Sequence, residues 1–120
     1  MFLKSLLSKR SLGDIKEQQA KEYLQAQGLH FVEQNFNCKL GEIDLIFSDP
    51  KANILVFVEV KFRSSDQFGG AAASVTPSKQ QKIKKTALFY LSQRKINPSI
   101  RFDVIAFDSE QINWIQSAFS

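Results

Sequence analysis

Residues 54–63, ILVFVEVKFR, decide how this chain is read. Five apolar residues run from Ile54 to Val58, Val60 follows, and Glu59 and Lys61 stand inside the same run. Its length and β-branched content make it a buried strand, in which residues i and i+2 share a face. Ile54, Val56, Val58, Val60 and Phe62 then line one face. Leu55, Phe57, Glu59, Lys61 and Arg63 line the other, which is apolar for two positions and then ionic. An unpaired charge moved into a protein interior costs on the order of several kcal/mol even after relaxation. Glu59 and Lys61 therefore need something to complete their surroundings.

The segment before it supplies candidates. In EIDLIF, residues 42–47, Ile43, Leu45 and Phe47 alternate with Glu42, Asp44 and Ile46, the pattern of a second strand. SDPKAN, residues 48–53, is a short polar connection suited to a hairpin, which sets Asp44 in the strand beside Glu59 and Lys61. LHFVEQNFNC, residues 29–38, reads as another strand with imperfect alternation, joined through a turn at Lys39–Gly41. Upstream, a helix is expected from about Asp14 to Gln27, closed by Gly28, with Asp14 as N-cap and Glu17 as its capping-box partner. Leu12, Ile15, Ala20, Tyr23 and Leu24 give it one buried stripe.

Beyond the central strand, SSDQFGGAAASV is a loop carrying the Gly69–Gly70 pair, and TPSK opens a second helix with Thr76 as N-cap and Pro77 in its first turn. That helix runs to about Gln93 with Ile83, Ala87, Tyr90 and Leu91 inward and its lysines outward. IRFDVIAF, residues 100–107, is a fourth strand and INWIQSAF, residues 112–119, a weaker fifth. The order helix, three strands, helix, two strands predicts an α/β domain with a mixed central sheet flanked by helices. Residues 13–120 form that single domain, preceded by an N-terminal extension over residues 1–12.

Composition narrows the function. A chain of 120 residues suits one domain that buries roughly two-thirds of its unfolded surface. Eleven phenylalanines point to a core filled with aromatic rings. The lone Cys38 excludes an intramolecular disulfide and a Cys-rich zinc site. The lone His30 argues against Ser–His or Cys–His catalysis and reads as a surface or turn residue after Gly28. No apolar run approaches the roughly 20 residues of a membrane span, and Lys4 interrupts the start without a signal-cleavage site behind it. A cytoplasmic protein with no membrane partner is expected. Net charge is +4, but between Gln67 and Phe102 stand seven basic residues (Lys79, Lys82, Lys84, Lys85, Arg94, Lys95, Arg101) and no acid. Such a tract suits a polyanionic partner and equally a solvated helix face.

Glu17, Asp44, Glu59 and Lys61 remain to be explained together. Close carboxylates repel, and burial raises their pKa values further. A divalent cation removes both difficulties, since Mg²⁺ takes oxygen ligands and binds through one or two carboxylates plus waters and phosphate oxygens. Lys61 beside it would orient a water and stabilise charge on a phosphorus centre. A plain salt bridge from Lys61 to Glu59 or Asp44 accounts for the pattern equally well, and a helix-capping role accounts for Glu17.

At these residues the chain resembles a known family. GEIDLI, VFVEVKFR, VTPSKQQKIKKTALFYL and RFDVIAFD are similar, in that order, to motifs of the YraN-like family of uncharacterised bacterial proteins, over residues 13–119. That family is related to archaeal Holliday-junction resolvases of the PD-(D/E)XK nuclease superfamily. The resemblance implies a restriction-endonuclease-like core with a metal site at a bend in its central hairpin. It assigns Asp44 as the motif's Asp, Glu59 and Lys61 as its E-x-K, and Glu17 as the glutamate of the first helix. The chain departs from the usual pattern at Lys16, where members commonly have glycine, and at Asn37, where arginine is frequent.

The resulting expectation is a Mg²⁺- or Mn²⁺-dependent endonuclease acting on DNA, branched DNA included. Asp44, Glu59 and the Val60 carbonyl hold the metal, Lys61 orients water, and Glu17 assists. Lys79, Lys82, Lys85 and the Gly69–Gly70 loop contact phosphates, with a homodimer compatible with the reading. Two alternatives compete: an inactive nucleic-acid-binding module on the same fold, and a scaffold whose basic helix meets an acidic protein.

Overall fold

The computed structural model describes residues 9–63, 74–109 and 111–120. Its elements are α1 (Lys9–Ala26), β1 (His30–Cys38), β2 (Gly41–Asp49), β3 (Ile54–Arg63), α2 (Pro77–Arg94), β4 (Ser99–Asp108) and β5 (Gln111–Phe119). The Gly69–Gly70 pair lies outside the described residues.

The five strands form one sheet in the order β1-β2-β3-β4-β5. Every neighbouring pair is antiparallel except β3 and β4, which run parallel and are joined through α2. The expected α/β domain with a mixed sheet and two helices is the observed one. Alternation along β3 gives each helix a face: Val56, Val58 and Val60 pack with Ala20 and Leu24 of α1, while Phe57 packs with Ile83, Ala87 and Tyr90 of α2. Glu59 and Lys61 continue the odd-numbered row, so they point toward the α2 side.

Both helix C-termini end as the chain dictates. At Gly28, φ is 99°, the Gly28 amide bonds to the Gln25 carbonyl and the Leu29 amide to that of Leu24. This double bond pattern consumes carbonyls the helix leaves open, and buried Leu29 packs with Leu24 across it. Lys95 repeats the device at the end of α2 with φ 56°. At the other end of α2, the Thr76 hydroxyl accepts the Lys79 amide proton at 3.3 Å with Pro77 next in line, as expected.

The start of α1 differs from expectation. It begins at Lys9, so Asp14 lies inside the helix and is not its N-cap, and Glu17 has no capping partner there. Leu12 and Ile15 are exposed, and the buried stripe is carried by Ala20 and Leu24. Glu17, three and seven residues before them, shares their face.

α2 lies close on the β1–β2 turn. A Cβ at Gly41 would stand 2.9 Å from the Thr86 hydroxyl oxygen and 3.9 Å from Lys82, at a φ of 151°. Only glycine admits that approach without displacing the helix.

Candidate active site

The site lies where β2 leaves β3. Their pairing runs from Asp49–Ile54 to Leu45–Val58 and stops, although register would next set Asp44 opposite Glu59. On the far side β3 continues in ladder with β4 through Glu59–Val104 and Lys61–Ala106. The departure has a local cause. Ile46 and Ile43 both pack on the α2 side, a spacing that regular alternation forbids. β2 therefore rolls over between them, and opposite Asp44 in β1 stands Asn35 with φ 54°, skipped by the pairing.

Asp44 fills the gap. It is nine-tenths buried, and its Oδ2 accepts the Val60 amide proton at 2.8 Å, replacing a ladder bond that β2 no longer supplies. Its carboxylate is also hydrogen-bonded to that of Glu59. Two acids can share such a bond only while one keeps its proton. Burial is the largest cause raising both pKa values. Donation from Val60 and Glu59 favours the charged form of Asp44, so Glu59 is the proton holder. Its pKa rises from the usual 4.5 to about 8, driven by burial and then by Asp44, against a lowering pull from Lys61.

Lys61 Nζ stands 3.6 Å from Glu59 Oε2. The expected salt bridge is therefore present, but near neutrality Glu59 largely holds its proton and the bridge is complete only as it ionises. Metal-site and ion-pair readings thus share one geometry.

Glu17 approaches from α1. Its carboxyl is raised to about 7, first by burial and then by Asp44, Asp14 and Glu42. Gly13, Asp14, Glu17, Asn35, Asn37 and Glu42 line an acidic cleft of about 410 Å³ beside the Asp44–Glu59 pair. A cleft of about 520 Å³ lies elsewhere, lined by Lys16, Tyr23 and Phe107 among others, and holds none of the four site residues. Lys16 sits there over the Phe107 ring at 4.9 Å.

The structure thus gathers Glu17, Asp44, Glu59, Val60 and Lys61 at one end of the sheet. Val60 contributes its amide to Asp44. Among the described residues, no three acidic, His or Cys side chains converge closely enough to enclose a metal ion. The pair Asp44–Glu59 nonetheless fits a hard divalent cation, because it offers two carboxylates, the number Mg²⁺ commonly takes from protein. The proton they share is what such a cation would displace.

Lys79 stands in the first turn of α2. Spacing groups it with Lys82 and Lys85, and its ammonium is held below the ordinary lysine value, first by Lys61. Lys82 and Lys85 are exposed on α2. Arg94 is paired with Glu33 at 2.7 Å, and Arg101 with Asp103 at 2.9 Å and Asp49 at 3.5 Å, so two cations of the basic tract are internally committed. Sequence reasoning missed Asp14 and Glu42 beside Glu17. Glu42 carries one available signal, lying two residues before Asp44.

Comparison with known proteins follows the motifs. Residues 16–107 match the profile of a family described as Uncharacterised protein family UPF0102. A UPF0102 protein of Janthinobacterium sp. (strain Marseille) is 49% identical over 117 residues, covering 98% of this chain and 94% of its own. One from Vibrio campbellii is 52% identical over 120 residues, covering 96% and 97%. One from Shewanella frigidimarina is 49% identical over 107 residues, covering 89% and 97%. Asp44, Glu59 and Lys61, with Glu17, all fall within the matched span.

Proposed function

The chain belongs to the uncharacterised protein family UPF0102, and for this member we propose a metal-dependent endonuclease that hydrolyses phosphodiester bonds in DNA, branched DNA included. The reading includes a restriction-endonuclease-like core related to that of the PD-(D/E)XK resolvases. One observation carries it. A buried Asp44–Glu59 pair shares a proton at a strand divergence, with a lysine 3.6 Å from Glu59 and a third carboxyl, Glu17, raised beside it. A structural ion pair explains Lys61 and Glu59, and capping the Val60 amide explains one oxygen of Asp44, but neither explains why two acids are buried against each other.

Asp44 and Glu59 would hold Mg²⁺ or Mn²⁺. Bound there, the ion supplies Lewis-acid polarisation of a phosphoryl oxygen and a water of lowered pKa. The chain's own residues do the rest. Asp44 is fixed by the Val60 amide, so one ligand is oriented before substrate arrives. Lys61 orients the attacking water and offsets charge gathering on the phosphorus oxygens. Glu17, raised to about 7 and lining the acidic cleft, accepts the proton released by the attacking water. Lys82 and Lys85 give salt-sensitive, sequence-independent affinity for the DNA backbone.

The decisive experiment incubates purified protein with supercoiled plasmid and four-way junctions in Mg²⁺ or Mn²⁺, beside Asp44→Ala. Metal-dependent nicking by the wild type and none by the variant is expected. Retention of DNA without any cleavage would leave the binding-module alternative.

A further inference from the structure

The cleft of about 520 Å³ has no part in the chemistry described so far. It lies between α1 and the β4–β5 hairpin, and its size falls within the roughly 300–1,000 Å³ of ligand sites. Tyr23, Phe107 and Ile112 form its carbon wall, and Lys16, Gln19, Glu22 and Ser109 its polar rim. Tyr23 meets Trp114 edge-on with ring centroids 6.3 Å apart, and the Trp114 indole N–H is fixed in turn on Asp103 at 2.9 Å. The aromatic wall is thus in place before anything binds. Lys16 Nζ lies over the Phe107 ring at 4.9 Å, a weak contact that an anion at the rim can replace. Glu22, the acid among the described lining residues, accepts from Gln18 Nε2 at 2.9 Å along the helix.

Position adds to chemistry. Phe107 stands beside Phe62 in the β3–β4 ladder and beside Ile112 in the β4–β5 ladder, so the three side chains form one row on the α1 face. Phe62, 38% exposed, follows Lys61 in the chain and continues the row of Val60, whose amide holds Asp44. The row therefore leads from the Asp44–Glu59 end of the sheet into the cleft. Lys82 of α2 stands at that same end on the opposite face, against Gly41 at the start of β2. A cationic helix and an aromatic cleft thus flank the carboxylate pair from the two faces of one sheet end. Gln19, Glu22, Ser109 and Ile112 are all exposed, so the cleft is an open groove. Such a groove suits a planar group delivered on a chain better than a free molecule to be enclosed.

We propose that this groove receives an unpaired nucleobase of the strand being cut, stacked on the aromatic wall with its phosphate on Lys16, while α2 grips the adjoining duplex through Lys82 and Lys85. The identity of that strand as DNA rests on the nuclease reading. The proposal narrows the substrate to duplexes whose strand parts from its partner beside the cut, as at a fork or flap. A continuous duplex keeps its bases paired and stacked and has none to offer without the cost of extruding one. Every base has a face to stack, and the Gln19 amide carries both a donor and an acceptor for its edge. The groove therefore selects for an unpaired base and not for a sequence.

The test compares one labelled duplex in two forms, blunt and with one end splayed into unpaired thymidine arms, by fluorescence anisotropy in chelator so that no strand is cut. The wild type holds the forked form at least about tenfold more tightly, the scale of one stacked base. Tyr23→Leu keeps an apolar contact to Trp114 but loses the ring, and Ile112→Asp sets a like charge beside the arm from an exposed position. Each erases most of the preference and leaves blunt-duplex affinity within about threefold. Lys82→Met weakens both forms alike and keeps their ratio. 5-Iodouracil in the arm, next to the fork, crosslinks on irradiation to the peptides carrying Tyr23 or Phe107. Equal wild-type affinity for the two forms, an undiminished preference in both cleft variants, or crosslinks confined to α2 overturns the proposal. So does a thymidine mononucleotide that competes as well as the arm itself. A protein with the preference and the crosslink that cuts no DNA in Mn²⁺ keeps the groove and overturns the nuclease reading. Metal-dependent cutting by a protein that holds both forms equally does the opposite.

Discussion

Asp44 accepts the Val60 amide proton at 2.8 Å, so a side chain of β2 closes a bond that the β2–β3 ladder leaves open. The same carboxylate faces Glu59, and the two duties can be separated. Asp44→Asn keeps an acceptor for Val60 and offers Glu59 a donor while removing a buried charge. Its stability at pH 7 should lie within about 1 kcal/mol of wild type or above it. Asp44→Ala orphans the amide and should cost about 1–3 kcal/mol. Neither variant should gain from Mn²⁺, whereas the wild type follows RT ln(1 + [L]/Kd). Thermal melts in chelator and then in Mn²⁺ read all three. A large loss in Asp44→Asn, with a wild type indifferent to metal, returns Asp44 to the role of a structural partner.

Stability without metal should fall as pH rises. Glu59 ionises near 8 in the fold against the usual 4.5, raised first by burial and then by Asp44. Between those values the folded chain holds a proton that the unfolded chain has released. The contribution is therefore full below the unfolded value and is lost as pH climbs through the folded one. Asp44, also raised, acts in the same direction. Each such proton contributes a slope of at most about 1.4 kcal/mol per pH unit. Urea titrations in chelator at about pH 5, 6.5 and 8 should decline for the wild type and decline less steeply for Glu59→Gln, in which Glu17, raised to about 7, keeps its share. Mn²⁺ should flatten the wild type too, since it competes for the site of the proton. A wild type that gains stability from pH 5 to 8 would rule this out.

A further buried carboxylate, outside the Asp44–Glu59 pair, has a purely structural assignment. Asp103 is fully buried and accepts from Arg101 Nε at 2.9 Å and Nη2 at 3.0 Å, from Trp114 Nε1 at 2.9 Å and from the Ser117 amide at 3.0 Å. It bolts β4 to β5 across the register shift between Phe102 and Val104. Arg101→Met removes two of those donors and should destabilise by about 3–5 kcal/mol, as for any broken buried pair. Urea unfolding measures it. The response of the folded protein to Mn²⁺ should be unchanged, which separates this acid from Asp44.

The exposed lysines of α2 should act through counterions alone. Lys82→Glu with Lys85→Glu should weaken binding to unrelated duplexes alike and reduce the log–log salt slope by roughly 0.9 for each phosphate no longer neutralised. Binding titrations at several salt concentrations decide it. An unchanged slope would move the duplex surface elsewhere.

Much of this was readable from residues alone, for identifiable reasons. Strand limits followed from alternation bounded by turn formers, and Thr76–Pro77 announced α2 because a hydroxyl and a missing N–H both suit a helix start. The EIDLIF–SDPKAN–ILVFVEVK sequence predicted the hairpin that sets Asp44 beside Glu59. The start of α1 was not readable, because Asp14 presents the same local signature inside a helix as at its cap, and Leu12 and Ile15 are apolar yet exposed. Asp103 looked like an ordinary strand acid, since its partners Trp114 and Ser117 are long-range.

Sheet order also dictates how the molecule is assembled in time. Three of the four strand pairings join sequence neighbours through short antiparallel connections, and the fourth, β3 with β4, encloses α2. Pairings between chain neighbours form early, while closing a long loop is the slow, entropy-limited event. The β1–β2–β3 meander, carrying Asp44, Glu59 and Lys61, is thus complete as a local unit before the crossover docks. Helix α2, with its exposed Lys82 and Lys85, arrives only with that final step, so the acidic and basic parts of the molecule come together as the chain commits to its native topology.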